Sequence, residues 1–108
     1  MIRGSWKLSR VFARSTASEH SMTNHIRQGL IKRTLLFTGS NCIDVEYRDG
    51  KLIDSLHMNY RIAGEGKHLF LYQNNQLIEF WEILSLGRDT MKLVSPANMV
   101  FSFARTGH

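Results

Sequence analysis

One cysteine in 108 residues cannot close an internal disulfide or supply a cysteine-rich zinc site, so disulfide scaffolds and zinc ribbons are excluded. No apolar run approaches the about 18 residues that a membrane-spanning helix needs, the longest being pieces such as Leu35-Leu36-Phe37. The first residues lack the basic segment, apolar stretch and small-residue cleavage site of a secretory signal. The chain is therefore expected to be cytoplasmic, or periplasmic or cell-surface if a leader was removed, and a free Cys42 fits either. What it does have is 43% hydrophobic residues, too many for a disordered chain. The expectation is one domain over residues 1–108, stabilised by its packed core alone.

The formal charge of +5 is unevenly placed. Residues 1–40 hold seven Lys or Arg against Glu19, whereas residues 41–108 are close to neutral with one more acid than base. Phosphate tracking needs cations clustered on one surface with aromatics between them. Arg3, Lys7, Arg10, Arg14, Arg27, Lys32 and Arg33 are instead dispersed, which is the pattern of a solvated basic face. No nucleic-acid partner is expected.

Strand signals recur at short intervals, and no long segment has helical periodicity. Eight runs stand out, at 2–12, 31–37, 42–47, 51–62, 68–73, 76–84, 90–95 and 99–105, with turns at Gly39-Ser40-Asn41, Arg48-Asp49-Gly50, Gly64-Glu65-Gly66, Asn74-Asn75, Gly87-Arg88-Asp89 and Pro96-Ala97-Asn98. Eight short strands joined mainly by tight turns predict an all-β chain, an eight-stranded antiparallel up-and-down barrel. The exception is 13–29, a Ser/Thr/His-rich insertion in which Met22 and Ile26 lie one helical turn apart and Gly29 marks a stop. It reads as a long loop or short helix after the first strand, placed as a lid.

Alternation sets which side chains face inward. In 2–12 it groups Gly4, Trp6, Leu8 and Phe12. A two-residue Asp49-Gly50 turn pairs Tyr47 with Leu52, Val45 with Asp54 and Ile43 with Leu56, and continues the inner face to Met58, Tyr60 and Ile62. Cys42 and His57 then fall opposite each other on the outer face. A three-residue turn at Gly39 places Arg33 beside Val45, so that Arg33 and Asp54 meet inside. That reads as a structural ion pair or a carboxylate at the barrel mouth, or as a polar anchor for a ligand in an apolar pocket. The 68–84 hairpin is apolar on both faces. One grouping joins Leu69 and Leu71 with Ile78 and Phe80; the other joins Phe70 and Tyr72 with Leu77 and Trp81. The outer set needs cover, either from a second copy of the chain through Leu69, Leu71, Ile78 and Phe80 or from the 13–29 insertion.

The chemistry expected of these residues is recognition. Cys42 and His57 form a nucleophilic dyad only with an orienting third group and oxyanion donors, neither of which the sequence offers. His20, His25, His57, His68 and His108 have no metal-ligand spacing, and His68 alone has the placement a haem ligand needs. No enzyme activity, metal or cofactor is expected. The inward set Arg33, Phe37, Tyr47, Asp54, Met58, Tyr60, Trp81, Met91 and Phe103 either fills the barrel or lines a cavity, since eight strands enclose space for side chains or for one small ligand.

Taken in order, Gly4-Ser5-Trp6, Thr34-Leu35-Leu36-Phe37, Tyr60-Arg61-Ile62, Leu69-Phe70-Leu71, Trp81-Glu82-Ile83-Leu84-Ser85-Leu86, Asp89-Thr90-Met91-Lys92-Leu93 and Phe101-Ser102-Phe103-Ala104-Arg105 run through nearly the whole chain. This series resembles the lipocalin-like domains of the calycin superfamily, in the small single-barrel form common in Bacteroidetes. The resemblance implies that Trp6, introduced by Gly4, plugs the closed end and that Arg105 packs across it. It further implies a non-enzymatic protein that binds a small, largely apolar molecule. The 13–29 insertion and the missing leader depart from that pattern. The alternative is a filled barrel that docks a protein partner through 68–84, as an inhibitor or subunit.

Overall fold

Two residue pairs that accept left-handed backbone fix two of the hairpins. Asp49 and Gly50 take φ of 51° and 78°, and Asn74 and Asn75 take 52° and 64°. Paired positive φ values give the two-residue turn whose twist matches the flanking strands. The computed structural model describes residues 2–106. Its strands are β1 (Gly4–Ala13), β2 (Ile31–Thr38), β3 (Asn41–Arg48), β4 (Lys51–Ala63), β5 (His68–Gln73), β6 (Gln76–Leu86), β7 (Thr90–Val94) and β8 (Met99–Thr106). Each pairs antiparallel with the next and β1 closes on β8, giving the expected eight-stranded up-and-down barrel. One short helix, α1 (Met22–Arg27), follows β1, with Gly29 at φ 76° beyond its end.

Which side chains face inward is decided by four interruptions of the ladder, at Ser9, Ile53, Ile78 and Leu84. A bulge inserts one unpaired residue and reverses the alternation beyond it, while adding the local twist that helps a sheet close. In β1 the Ser9 bulge turns Val11 inward and leaves Phe12 outside under the Arg10 guanidinium, 4.4 Å from the ring centroid. The expected inward Phe12 is corrected accordingly. In β4 the Ile53 bulge makes Glu46, not Val45, the partner of Asp54. The turn before β3 is also one residue shorter than expected, Thr38 pairing directly with Asn41, so Arg33 lies opposite Glu46. The inner face of β3 is therefore Cys42, Asp44 and Glu46. In β6 the Ile78 bulge sets Leu71 opposite Glu79 and Leu69 opposite Trp81. Leu69 and Leu71 are consequently core residues, 0% and 1% exposed, and cannot serve as interface residues on the outer face.

The lower interior is filled. Trp6, Phe37, Cys42, Leu69, Met91, Leu93 and Phe103 have no exposed surface, so there is no room for a water molecule against them. Met58 joins this core, and Tyr60 meets Phe37 edge to face at 5.0 Å. Arg105 seals the lower end. Its guanidinium carbon lies 4.1 Å from the centre of the Trp6 ring, and it donates hydrogen bonds to the Arg3 and Arg88 carbonyls. Gly4 is required beneath it, because its φ is 122° and a Cβ there would stand 2.5 Å from Arg105 Nη1.

At the other end the β1–β2 ladder runs only from Gly4–Lys7 against Thr34–Phe37. Beyond it, the 13–29 insertion takes over the exposed edge of β1. The Thr23 hydroxyl accepts from Val11 N–H and donates to Val11 C=O, while His20 N–H reaches the same carbonyl. Met22 and Ile26 lean on the core as their helical spacing predicts. The insertion thus covers the β1–β2 seam and leaves the outer face of β5–β6 uncovered.

Candidate functional site

Alternation on β2 turns Arg33 inward above Leu35 and Phe37, where a guanidinium must find acids or be expelled. The acid it finds comes from β3. Arg33 Nε donates to Asp44 Oδ1 at 3.1 Å and Nη2 donates to Oδ2 at 2.7 Å, a two-pronged pair whose side chains are 16% and 8% exposed. Across the barrel, Glu79 of β6 brings Oε1 to 3.7 Å from the same Nη2, its side chain 28% exposed. Trp81 and Phe101 complete the cluster, each with its ring centroid 6.0 Å from the guanidinium carbon and meeting one another edge to face at 5.1 Å.

Arg33 and Glu79 of this cluster floor a cleft of about 320 Å³ at the mouth, walled by Ile78, Phe80 and Trp81 on one side and the Ser95–Pro96 turn on the other. Ligand pockets start at about 300 Å³, so the cleft suits a small molecule. Its electrostatics are unbalanced: one arginine faces Asp44 and Glu79 together. Burial pushes the Glu79 carboxyl up, and Asp44 and Asp54 add to this against the opposing pull of Arg33 and the Trp81 hydrogen bond. Glu79 Oε2 is buried and has no hydrogen-bond partner among the described residues. Burial alone would lower the Arg33 pKa, but Asp44, with help from Glu79 and Glu46, raises it, so the guanidinium stays charged.

Of the residues singled out from the sequence, Arg33 and Trp81 line this cleft. Phe37, Met58, Met91 and Phe103 are buried in the filled core, with Tyr60 half-buried beside them. Two expectations are corrected. Tyr47 is 41% exposed on the outside, because the Ile53 bulge and the shorter Gly39 turn shift β3 by one residue; Asp54 keeps its inward register opposite Glu46 but stands exposed at the mouth, out of the pair expected with Arg33. The partner of Arg33 is Asp44. Sequence reasoning missed Asp44, Glu79 and Phe101. The available signal was Arg33 itself: a cation on an apolar face requires acids on strands that can reach it, and β3 and β6 supply Asp44 and Glu79.

The nucleophilic dyad does not assemble. Cys42 lies in the core opposite Met58, and burial, reinforced by Asp44 and Glu79, pushes its thiol up to about 12, while His57 pairs with Ile43 outside. A thiol held protonated in this way is a poor nucleophile. His68 also points outward and stacks on Phe80 at 5.5 Å, which removes the one placement considered for a haem ligand. His108 lies outside the described residues. No group of three metal-ligating side chains occurs among the described residues. A second groove, of about 340 Å³ between α1 and the β3–β4 turn, holds His20 and His25, but each Nδ1 is engaged with nearby backbone, Met22 N–H and Ser21 C=O respectively. Comparison with protein-family models, with characterised proteins and with solved structures finds no match to this chain.

Proposed function

We propose that this is a non-enzymatic binding protein of lipocalin-like type, which holds one small, largely apolar molecule at the mouth of its barrel. The observation that carries the reading is the cleft floored by Arg33 and Glu79 beside Trp81, with Asp44 behind Arg33, above a core whose largest side chains have no exposed surface. Buried polar groups that converge on an apolar-walled recess orient a ligand; a filled core gives it nowhere deeper to go. The site is thus a shallow one, set by β2, β3 and β6 rather than by the whole inner surface. Native mass spectrometry of the protein purified from its source tests this directly. The expected spectrum contains a species heavier than the bare chain by the mass of one small molecule, which disappears on denaturation and in Trp81→Ala. A spectrum of bare protein that also takes up nothing from a small-molecule library would refute the proposal.

A second reading is favoured by a separate observation. On the outer face of β5–β6, Leu77, Ile78, Phe80 and Leu84 are each at least 40% exposed, and Phe80 stacks with Phe70 and His68. The second reading is that two copies of the chain meet through this stripe. A closed barrel has no free strand edge, so self-association has to use a face, and an apolar one whose single carboxylate, Glu82, is already paired with Arg14 suits a two-fold contact.

A further inference from the structure

We infer that the mouth cleft selects a molecule with a protonated amine on an apolar body, the ammonium group pairing with the Glu79 carboxylate beside the Trp81 ring. The inference rests on the proposed reading of the cleft as a small-molecule site and goes beyond it by naming the ligand's polar group.

Three features of the cleft lead there. Arg33 is the one cation among the residues that line it, and its Nε and Nη2 are committed to Asp44. The second carboxylate, Glu79, shares that guanidinium at the longer distance of 3.7 Å. One guanidinium thus serves two carboxylates, and Glu79 is the less closely paired. The rim brings no second cation: Ile78 and Phe80 are apolar, Pro96 has no N–H, and Ser95 offers a neutral hydroxyl, which accepts from Met99 N–H. A carboxylate ligand would find only a cation that two acids already share. An ammonium supplies the second positive charge, and an indole face is the best aromatic wall for a cation. The whole chain carries +5 and repels cations at long range, so a preference for amines has to originate locally at Glu79.

The groups facing Glu79 are Arg33 from β2, Asp44 from β3 and Asp54 from β4, with the Trp81 indole on its own strand. Since burial favours the protonated acid, a proton and an ammonium compete for the same carboxylate. Amine binding should weaken as the pH falls.

Three probes of one shape test this: 2-phenylethylamine, the neutral 2-phenylethanol and the anionic 3-phenylpropanoate, titrated into the full chain and followed by the backbone amides of Ile78–Trp81 and the Trp81 indole N–H in NMR spectra. The expected result is binding localised to the cleft, with the amine at least tenfold tighter than the alcohol and the anion weakest. That preference should fall to near unity in Glu79→Gln. In the wild-type protein, amine affinity should be several-fold lower at pH 5 than at pH 8, a measurement that needs no variant to fold. Binding of the alcohol or the anion as tightly as the amine would overturn the inference while leaving the cleft as a small-molecule site. Absence of any cleft response to all three would overturn both.

Discussion

Asp44 and Arg33 show how a single residue step decides the chemistry of the mouth. Alternation on β2 suffices to place Arg33 inside; its partner is not legible, because Asp44 and Asp54 exchange roles when β3 shifts by one residue. A buried pair adds little stability relative to apolar side chains, but losing one partner strands the other charge, at about 3–5 kcal/mol. Glu79 at 3.7 Å compensates part of that here. Asp44→Asn should therefore lose about 2–3 kcal/mol in urea unfolding, whereas Arg33→Met/Asp44→Leu should recover most of the loss; equal losses in both would mean that the pair itself stabilises the barrel. Glu79 calls for the opposite sign. A carboxyl whose pKa is raised by folding binds its proton more tightly in the folded state, so it costs nothing below its unfolded pKa of about 4.3. The cost appears as the pH rises through the folded pKa. Glu79→Gln should accordingly melt higher than the wild type at neutral pH, with the gap closing as the pH falls through the range where Glu79 takes up its proton. A constant gap from pH 4 to 8 would show that Glu79 is not held against its charge.

Elements are far more legible than faces. Every strand and α1 follow from apolar runs and turn residues, since the turn pairs Asp49-Gly50 and Asn74-Asn75 act through local backbone preference. The bulges at Ile53 and Ile78 act instead through closure of the whole sheet, and no local pattern marks them. Both follow the same plan, a two-residue turn and two residue pairs before the extra isoleucine. They lift Tyr47 and Leu52 at one hairpin tip, and Leu77 at the other, into solvent. The insertion has its own anchor in Thr23, 1% exposed and bonded to both polar groups of Val11. In Thr23→Val the Val11 carbonyl keeps His20 N–H, but the Val11 amide is left buried without an acceptor. An orphaned buried donor costs about 1–3 kcal/mol. The variant should lose that much stability, and hydrogen exchange at Val11 should accelerate well ahead of the amides of β7; unchanged exchange at Val11 would mean that α1 is held by Met22 and Ile26 alone.

At the scale of the molecule, the apolar content exceeds what the interior holds. The core is packed with Trp6, Phe37, Phe103 and the aliphatic side chains around them; of the remainder, Leu77, Ile78, Phe80 and Leu84 lie outside on β6, while Leu30, Tyr47, Leu52 and Ile53 are exposed elsewhere. The insertion does not cover the β6 stripe: α1 packs on β1 and β2, and Arg14 reaches β6 only as an ion pair with Glu82. Two copies joined through this stripe would bring like residues face to face about a two-fold axis, so new positive charges there would oppose one another across the contact. In a chain already at +5 that repulsion adds to a general one. Ile78 and Phe80 are 41% and 40% exposed, so Ile78→Lys should change folding stability by no more than about 0.5 kcal/mol, while Phe80→Lys also gives up its ring contacts with Phe70 and His68, about 0.5–1.5 kcal/mol each. Sedimentation equilibrium over a wide concentration range is expected to show a reversible dimer for the wild-type chain and a folded monomer for Ile78→Lys/Phe80→Lys. A wild-type chain that stays monomeric at the highest concentration would eliminate the two-copy reading. Because Ile78 and Phe80 also wall the mouth cleft, such a dimer would bring the two clefts near the contact, and amine binding should then depend on protein concentration in the wild type and not in the double variant.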